Sequence, residues 1–315
     1  MSEPLFLKTV FKERIWGGNK LFTEFGYNIP TDTTGECWGI SAHTNGPSEI
    51  VNGPLKGKYL DEVWKTNPEL FGHFPSKEFP LLTKILDART ELSVQVHPDD
   101  RYAQKVEKVP YGKSECWYVI KAEPGAEIVY GHHAQSPEEF REMSNAGGWD
   151  KLLRKLKVKS GDFFYVPSGT IHAIGGGILI LETQQSSDIT YRVYDYDRKD
   201  LNGLSRDLHI ESSISVTTFP HLDPVLVQKR KELQGAVLTE LVSEKNFTVY
   251  DVLLDGKFSK SQEFPFLLVS ILDGEGQLTT NEGNFLIKKG DHFILPATIG
   301  TYTFDGRLHA IASRP

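Results

Sequence analysis

Two cysteines, Cys37 and Cys116, are all that the 315 residues hold. That is far too few for a disulfide-stapled secreted scaffold, and it leaves no thiolate cluster for zinc. The opening segment MSEPLFLKTVFKERIWGG lacks the apolar core of a signal peptide, and no run approaches the roughly eighteen apolar residues of a membrane span. A positive surplus is missing as well: 35 Lys and Arg stand against 42 Asp and Glu, a net charge of −7. This disfavours a sequence-independent grip on nucleic acid or anionic lipid, so any bound anion must be held by a few placed cations. No Walker or dinucleotide glycine loop is present, because Gly175-Gly176-Gly177 leads into the apolar pattern Ile178 to Leu181 rather than opening a helix. Together these absences predict a cytoplasmic protein with no nucleic-acid, membrane or obligate protein partner.

What remains is an ordinary globular mixture, 39% hydrophobic and 24% charged, long enough for two domains at about 150 residues each. Short alternating apolar and β-branched runs dominate, punctuated by turns such as Asn45-Gly46 and Asn52-Gly53, which predicts a mainly β body with few helices. The clearest helix start is Ser136-Pro137-Glu138-Glu139, a capping box with proline at the first helical position, ahead of Phe140 and Met143. Apolar spacing of three or four predicts others over Leu60 to Lys65, Asp99 to Glu107, Trp149 to Leu156 and Leu208 to Val216. A weak repeat sets Lys159 to Pro167 beside Lys288 to Pro296, both reading K-x-G-D-x-F-x-x-P. It predicts two β domains of one architecture: residues 1–219, with helical segments near 99–107 and 136–156, then a charged linker over 220–232 and a second domain over 233–315. Past the shared motif the copies part, since Gly169 and His172 of the first are matched by Thr298 and Thr301 in the second. Only the first copy is equipped to hold a metal there.

In an extended Leu92 to Pro98, side chains alternate, so Ser93, Gln95 and His97 share one face opposite Leu92, Val94 and Val96. That is either the wall of an internal pocket or a half-exposed strand. Lys113 and Glu115 likewise point one way, opposite Ser114 and Cys116, as a surface ion pair or as part of a buried site; Cys116 is read as packing. Imidazole and carboxylate suit Zn²⁺, Fe²⁺ or Mn²⁺, and three protein ligands with an open position is the common catalytic zinc arrangement. His97, Glu115 and His172 make such a set, with Gln95 a candidate fourth ligand. The other histidines, the exposed-looking His132-His133 pair included, are read as structural. Arg192 sits among aromatics near Asp195 and Asp197; it is either structural or, with Arg198 and Lys199, a cationic edge for an anionic substrate.

Several segments carry a resemblance to a known family: Trp16-Gly17-Gly18, Gly35 to Ser41 with Asn45-Gly46-Pro47-Ser48, Gln95 to Asp100, Lys113-Ser114-Glu115, Pro167 to His172, and Ser187-Asp188 through Arg192. Nearly the whole chain resembles the class I mannose-6-phosphate isomerases in their short bacterial form, and the Gly161 to His172 segment resembles the second cupin motif. The first cupin motif departs from the usual pattern, with Gln95 in place of its first histidine. The resemblance implies two cupin-type jelly-roll β-barrel domains and one Zn²⁺ per chain on Gln95, His97, Glu115 and His172. It implies Arg192 and Lys113 as catalytic residues, and Ser93, Arg198 and Glu182 around a hexose 6-phosphate. The implied reaction interconverts mannose 6-phosphate and fructose 6-phosphate through a cis-enediol. A cupin iron oxygenase and a sugar-phosphate-binding module are the competing readings.

Overall fold

The computed structural model describes residues 2–199 and 203–315 as three antiparallel sheets with short helices around them. A six-stranded sheet runs in the order Val10–Gly18, Thr34–Ile40, Leu81–Ala88, Ile178–Gln185, Glu115–Ala122, Phe163–Val166. Facing it is a five-stranded sheet, ordered Tyr191–Tyr194, Val94–Val96, His172–Ile174, Glu127–His132, Leu153–Lys157. Leu86, Trp117, Val119 and Ile180 of the first sheet pack against Ile128, Tyr130 and Ile174 of the second. Period-two alternation then sends Val96, Val129, Ala173 and Val193 outward, where the helices Pro137–Asn145, Trp149–Leu152 and Ile210–Val216 cover them with Phe140, Leu152 and Ile214.

Mainly β architecture matches the expectation, but the barrels are not closed: among the described residues no ladder joins the two facing sheets. The five-stranded sheet contains strands of only three residues, and Pro98, which has no N–H to donate, follows the first of them closely. The sandwich stays open at one end, where the polar side chains collect.

The helix over Pro137–Asn145 starts as expected. The Glu139 N–H donates to Ser136 Oγ at 3.2 Å, and the Glu139 carboxylate accepts from the Gln135 N–H at 2.7 Å. The helix read over Trp149 to Leu156 stops at Leu152; Leu153–Lys157 becomes a strand, because the free edge of Glu127–His132 offers a ladder that outweighs helical spacing. The sequence missed the short helix Lys20–Phe25, which ends on Gly26 at φ 70°.

Both copies of the repeat build the same corner. Gly161 and Gly290 take φ 88° and 91°, the left-handed region that favours glycine, and the next residue, Asp162 or Asp291, accepts the N–H of Lys159 or Lys288 at 2.9 and 2.8 Å. The second copy belongs to an eight-stranded sheet that also recruits the start of the first domain and the end of the stretch read as linker. Leu5–Phe6 pairs with Ile294 and Phe293, and Lys229–Leu233, read as linker, is an edge strand on Ala236–Ser243. Charged side chains suit an exposed edge, where they discourage pairing with another chain. The interior of this sheet is apolar, with a hollow of about 90 Å³ among residues such as Leu254, Val269, Tyr302 and Phe304. No described helix is long and apolar enough to cross a membrane.

The two halves meet where Cys37, Ile85, Cys116 and Leu181 on the back of the six-stranded sheet pack against Phe247, Leu268, Ile294 and Ile311. Cys116 is packing, as expected. His292 crosses this boundary, lying so close to Gly39 that a Cβ there would sit 2.4 Å from its Nδ1. Tyr27 Oη donates to the Gly290 carbonyl at 2.8 Å, so it accepts from His292 Nε2 at 3.0 Å, while His292 Nδ1 accepts from Ser270 Oγ at 2.8 Å. Both ring nitrogens are used by the neutral form, and burial pushes the pKa of His292 down to about 4. Below about pH 6.5 the unfolded chain takes up a proton that the folded one refuses, so this stability is complete above pH 6.5 and is lost as pH falls toward 4. Between pH 8 and pH 5 the loss is on the order of 2 kcal/mol. Urea unfolding of His292→Gln should show a pH dependence flatter by that amount; an equal slope would show that His292 does not set it.

Candidate active site

A cavity of about 610 Å³ opens between the six- and five-stranded sheets. Its floor follows from register. Trp38 pairs with Lys84, Lys84 with Glu182 and Glu182 with Trp117, a row across four adjacent strands that all point inward. Glu36 and Glu115 lie two residues along their strands from Trp38 and Trp117 and so share that face. From the opposite sheet, Gln95 pairs directly with both His172 and Arg192.

His97, Glu115 and His172 converge from the two sheets, their ligand atoms all within 4.8 Å of one another. Nε2 of His97 lies 3.4 Å from Glu115 Oε2, and Nε2 of His172 lies 3.4 Å from Glu115 Oε1. Each ring is turned by a backbone carbonyl on its other nitrogen: Ile189 O for His97 Nδ1 at 2.7 Å, Thr170 O for His172 Nδ1 at 2.8 Å. Carbonyls only accept, so both Nδ1 atoms carry the proton and both Nε2 lone pairs face the carboxylate. Buried Nε2 of His172 has no hydrogen-bond partner, the mark of a donor atom awaiting a cation. Burial, and then the charge of Lys113, pushes the His97 pKa down to about 3; burial lowers that of His172 too. Both imidazoles are therefore neutral, the form that ligates. Gln95 lines the same cavity half-buried, and its amide makes no hydrogen bond among the described residues. A divalent cation fits this donor set.

Lys113 and Glu115 point the same way, as alternation predicts, and they are buried. The ammonium donates to Glu115 Oε2 at 2.5 Å and lies 3.1 Å from His97 Nε2, so the cluster already holds one positive charge at its focus. Burial alone would raise the Glu115 pKa, but the charge of Lys113 holds it well below the usual carboxylate range. Burial would likewise lower that of Lys113, and Glu115 and Glu182 reverse the effect. Glu182 behaves differently. Burial, followed by the charge of Glu115, pushes its pKa up to about 7 against the pull of Lys113 and Lys84. Its Oε1 accepts from Trp117 Nε1 at 3.3 Å, and Lys84 Nζ lies 3.6 Å from Oε2.

Ser93 and Arg192 meet at another wall, where Arg192 Nε donates to Ser93 Oγ at 3.3 Å. Arg198 does not join them. Its guanidinium is taken up by Asp195 and by the Glu91 carbonyl, and it is not among the residues lining the cavity. Arg206 lines the wall instead. Of the pair read as exposed, His132 is buried beneath Phe140 and Phe219, with only His133 at the surface.

The family model described as "Phosphomannose isomerase type I, catalytic domain" matches residues 5–145, and "Mannose-6-phosphate isomerase, cupin domain" matches residues 237–315. The stretch between them, which carries His172, Glu182 and Arg192, is reached by whole-chain likeness. The chain is 56% identical to a mannose-6-phosphate isomerase of Streptococcus mutans, over 99% of this chain and 98% of that one. It is 50% identical to a mannose-6-phosphate isomerase of Bacillus subtilis, over 99% of each. It belongs to the type I mannose-6-phosphate isomerase family. A crystal structure of a mannose 6-phosphate isomerase from Bacillus subtilis superposes with a TM-score of 0.97 at 48% identity over 99% of both chains. A variant phosphomannose isomerase from Salmonella typhimurium shares the fold, with a TM-score of 0.78 at 17% identity.

In this family member Lys12, Arg14, Glu36, Trp38, Lys84 and Arg206 also line the cavity, six positions beyond those expected from the sequence. A signal existed for two of them. Glu36 and Lys84 each interrupt a strand buried along its whole length, and a charge there needs a partner or a ligand. Lys12, Arg14 and Arg206 carry no such mark, since ordinary surface strands and loops contain the same residues.

Proposed function

We propose that the chain is a cytoplasmic zinc-dependent isomerase, one Zn²⁺ per chain, interconverting mannose 6-phosphate and fructose 6-phosphate through a cis-enediol. The observation that carries this is the convergence of His97, Glu115 and His172 behind the cavity wall, where Glu115 and Gln95 share the lining with Glu182, Lys113 and Arg192. Residues 1–219 hold the chemistry, 220–232 connect, with Lys229 onward already laid down as an edge strand of the second sheet, and 233–315 form a cupin-like unit without metal ligands; the ligand positions, all between 95 and 172, support that division. Free, buried Cys37 and Cys116 accord with a reducing compartment.

When bound, the cation supplies Lewis-acid stabilisation of the negative oxygen that develops beside the proton being moved. The chain's own residues do the rest. Moving a proton from C2 to the adjacent C1 on one face of a cis-enediol needs one group that both accepts and returns it. Glu182, buried at the cavity wall with a pKa near 7, is suited to that exchange, which typically contributes about 10²- to 10⁴-fold. Lys113, held as an ammonium, donates toward the developing oxyanion. Lys84 faces the Glu182 carboxyl, Trp117 Nε1 is shared between Glu115 Oε1 at 3.0 Å and Glu182 Oε1 at 3.3 Å, and Arg192 with Ser93 faces the anionic end of the substrate. No other partner is required.

A coupled assay on mannose 6-phosphate, with chelator and then zinc add-back, tests metal and substrate together. Activity should vanish with the chelator and return with zinc. Bound iron with oxygen-dependent turnover would replace this reading with an oxygenase, and absence of C2-proton exchange with solvent would leave only a binding module.

A further inference from the structure

Asp195 is buried and serves two arginines at once. Its Oδ1 accepts from Arg198 Nη2 at 2.6 Å and from Arg206 Nη2 at 2.5 Å, while Oδ2 accepts from Arg206 Nε at 2.8 Å. What the two guanidiniums have left over differs. Arg198 also donates Nε to the Asp195 carbonyl and Nη1 to the Glu91 carbonyl, so all three of its nitrogens are engaged, away from the cavity. Arg206 spends one edge on the carboxylate, its Nη1 has no partner among the described residues, and it lines the cavity. Beside it, Arg192 gives Nε to Ser93 Oγ and Nη1 to the Asp207 carbonyl at 2.8 Å, leaving Nη2 without a partner among the described residues. The two cations feel each other: burial, then the charge of Arg206, lowers the pKa of Arg192. Two neighbouring like charges, each pinned by its own brace and each with unspent N–H groups, form a site that an anion relieves.

We propose that Arg206, braced by Asp195, completes an anion subsite with Arg192 and Ser93 that takes the phosphate monoester of the substrate and sets the preference for phosphorylated over free sugars. This rests on the hexose-phosphate reading above. Guanidinium matches phosphate oxygens with two parallel donors, a geometry that an ammonium cannot reproduce. Asp195 is a positioning residue: it fixes the plane of Arg206 before the anion arrives, so less ordering entropy is lost on binding. Because the subsite lies at the non-reacting end, its loss weakens substrate and transition state alike, which raises KM and leaves kcat nearly unchanged.

The test uses the zinc-loaded full chain, with two readouts: KM and kcat on mannose 6-phosphate, and inorganic phosphate binding by calorimetry. Arg206→Met should raise both KM and the phosphate dissociation constant by about 10- to 100-fold, with kcat within about threefold. Arg206→Lys should recover part of the loss through its charge, and Asp195→Asn should fall between wild type and Arg206→Met. Arg198→Met, which removes a cation of the same cluster from outside the cavity, should shift phosphate binding less than about threefold. Unchanged phosphate affinity in Arg206→Met, or an equal loss in Arg198→Met, overturns the assignment. Calorimetry reads the subsite without turnover. A chain that binds phosphate through Arg206 but does not convert mannose 6-phosphate would sink the isomerase reading and leave the subsite standing.

Discussion

His172→Ala is expected to lose bound metal and activity together, while Thr301→Ala, its counterpart in the second copy of the repeat, keeps both. His172 Nε2 is buried and aimed at Glu115, with no hydrogen-bond partner to share it, and its ring is already oriented by the Thr170 carbonyl. Alanine removes one donor of a set fixed by its surroundings, and no flexible side chain stands ready to replace it. Mutating even the outer partners of a metal ligand costs about 10- to 100-fold in affinity or activity, so loss of the ligand itself should exceed about 10²-fold in both. Thr301 begins a strand in the eight-stranded sheet with its side chain exposed, and its neighbourhood offers no imidazole or carboxylate set among the described residues. Metal analysis and turnover on both variants decide the matter. Full metal content in His172→Ala, or metal loss in Thr301→Ala, would place the site elsewhere.

The convergence of His97, Glu115 and His172 was legible in part because strand alternation is a strong local rule. Ser93, Gln95 and His97 share a face, Lys113 and Glu115 share another, and a lone histidine after Pro167 and Gly169 completes the set. The repeat was legible for a similar reason, since an Asp after a left-handed Gly makes the same corner wherever it occurs. Cross-strand register was not. That Lys84 sits opposite Glu182, and Trp38 opposite Lys84, depends on which distant strands pair, and single-sequence alternation says nothing about that. The same limit explains the errors. Leu153–Lys157 and Lys229–Leu233 are strands because a neighbouring edge was free, and sequence cannot show that the Arg198 guanidinium is spent on Asp195 and the Glu91 carbonyl.

Lys113→Met separates the metal from the chemistry, and its two effects carry opposite signs. The Lys113 ammonium competes with a bound cation for Glu115 Oε2 and repels it, so removing that charge should hold or tighten metal binding, the reverse of His172→Ala. Turnover should nevertheless fall by about 10²- to 10⁴-fold, the usual contribution of one proton-bearing group. The metal-free variant leaves Glu115 buried with its main cationic partner gone, which costs about 3–5 kcal/mol. Its Tm should therefore drop, and added zinc should restore it. Lys113 also pulls the Glu182 pKa downward, so without it that carboxyl stays protonated to a pH above about 7. If ionised Glu182 accepts the proton, the acidic limb of the pH–rate profile moves to higher pH in Lys113→Met. An unshifted limb would take Glu182 out of proton transfer, an unchanged rate would take Lys113 out of the mechanism, and loss of zinc would make Lys113 a support for the ligands rather than a participant in the reaction.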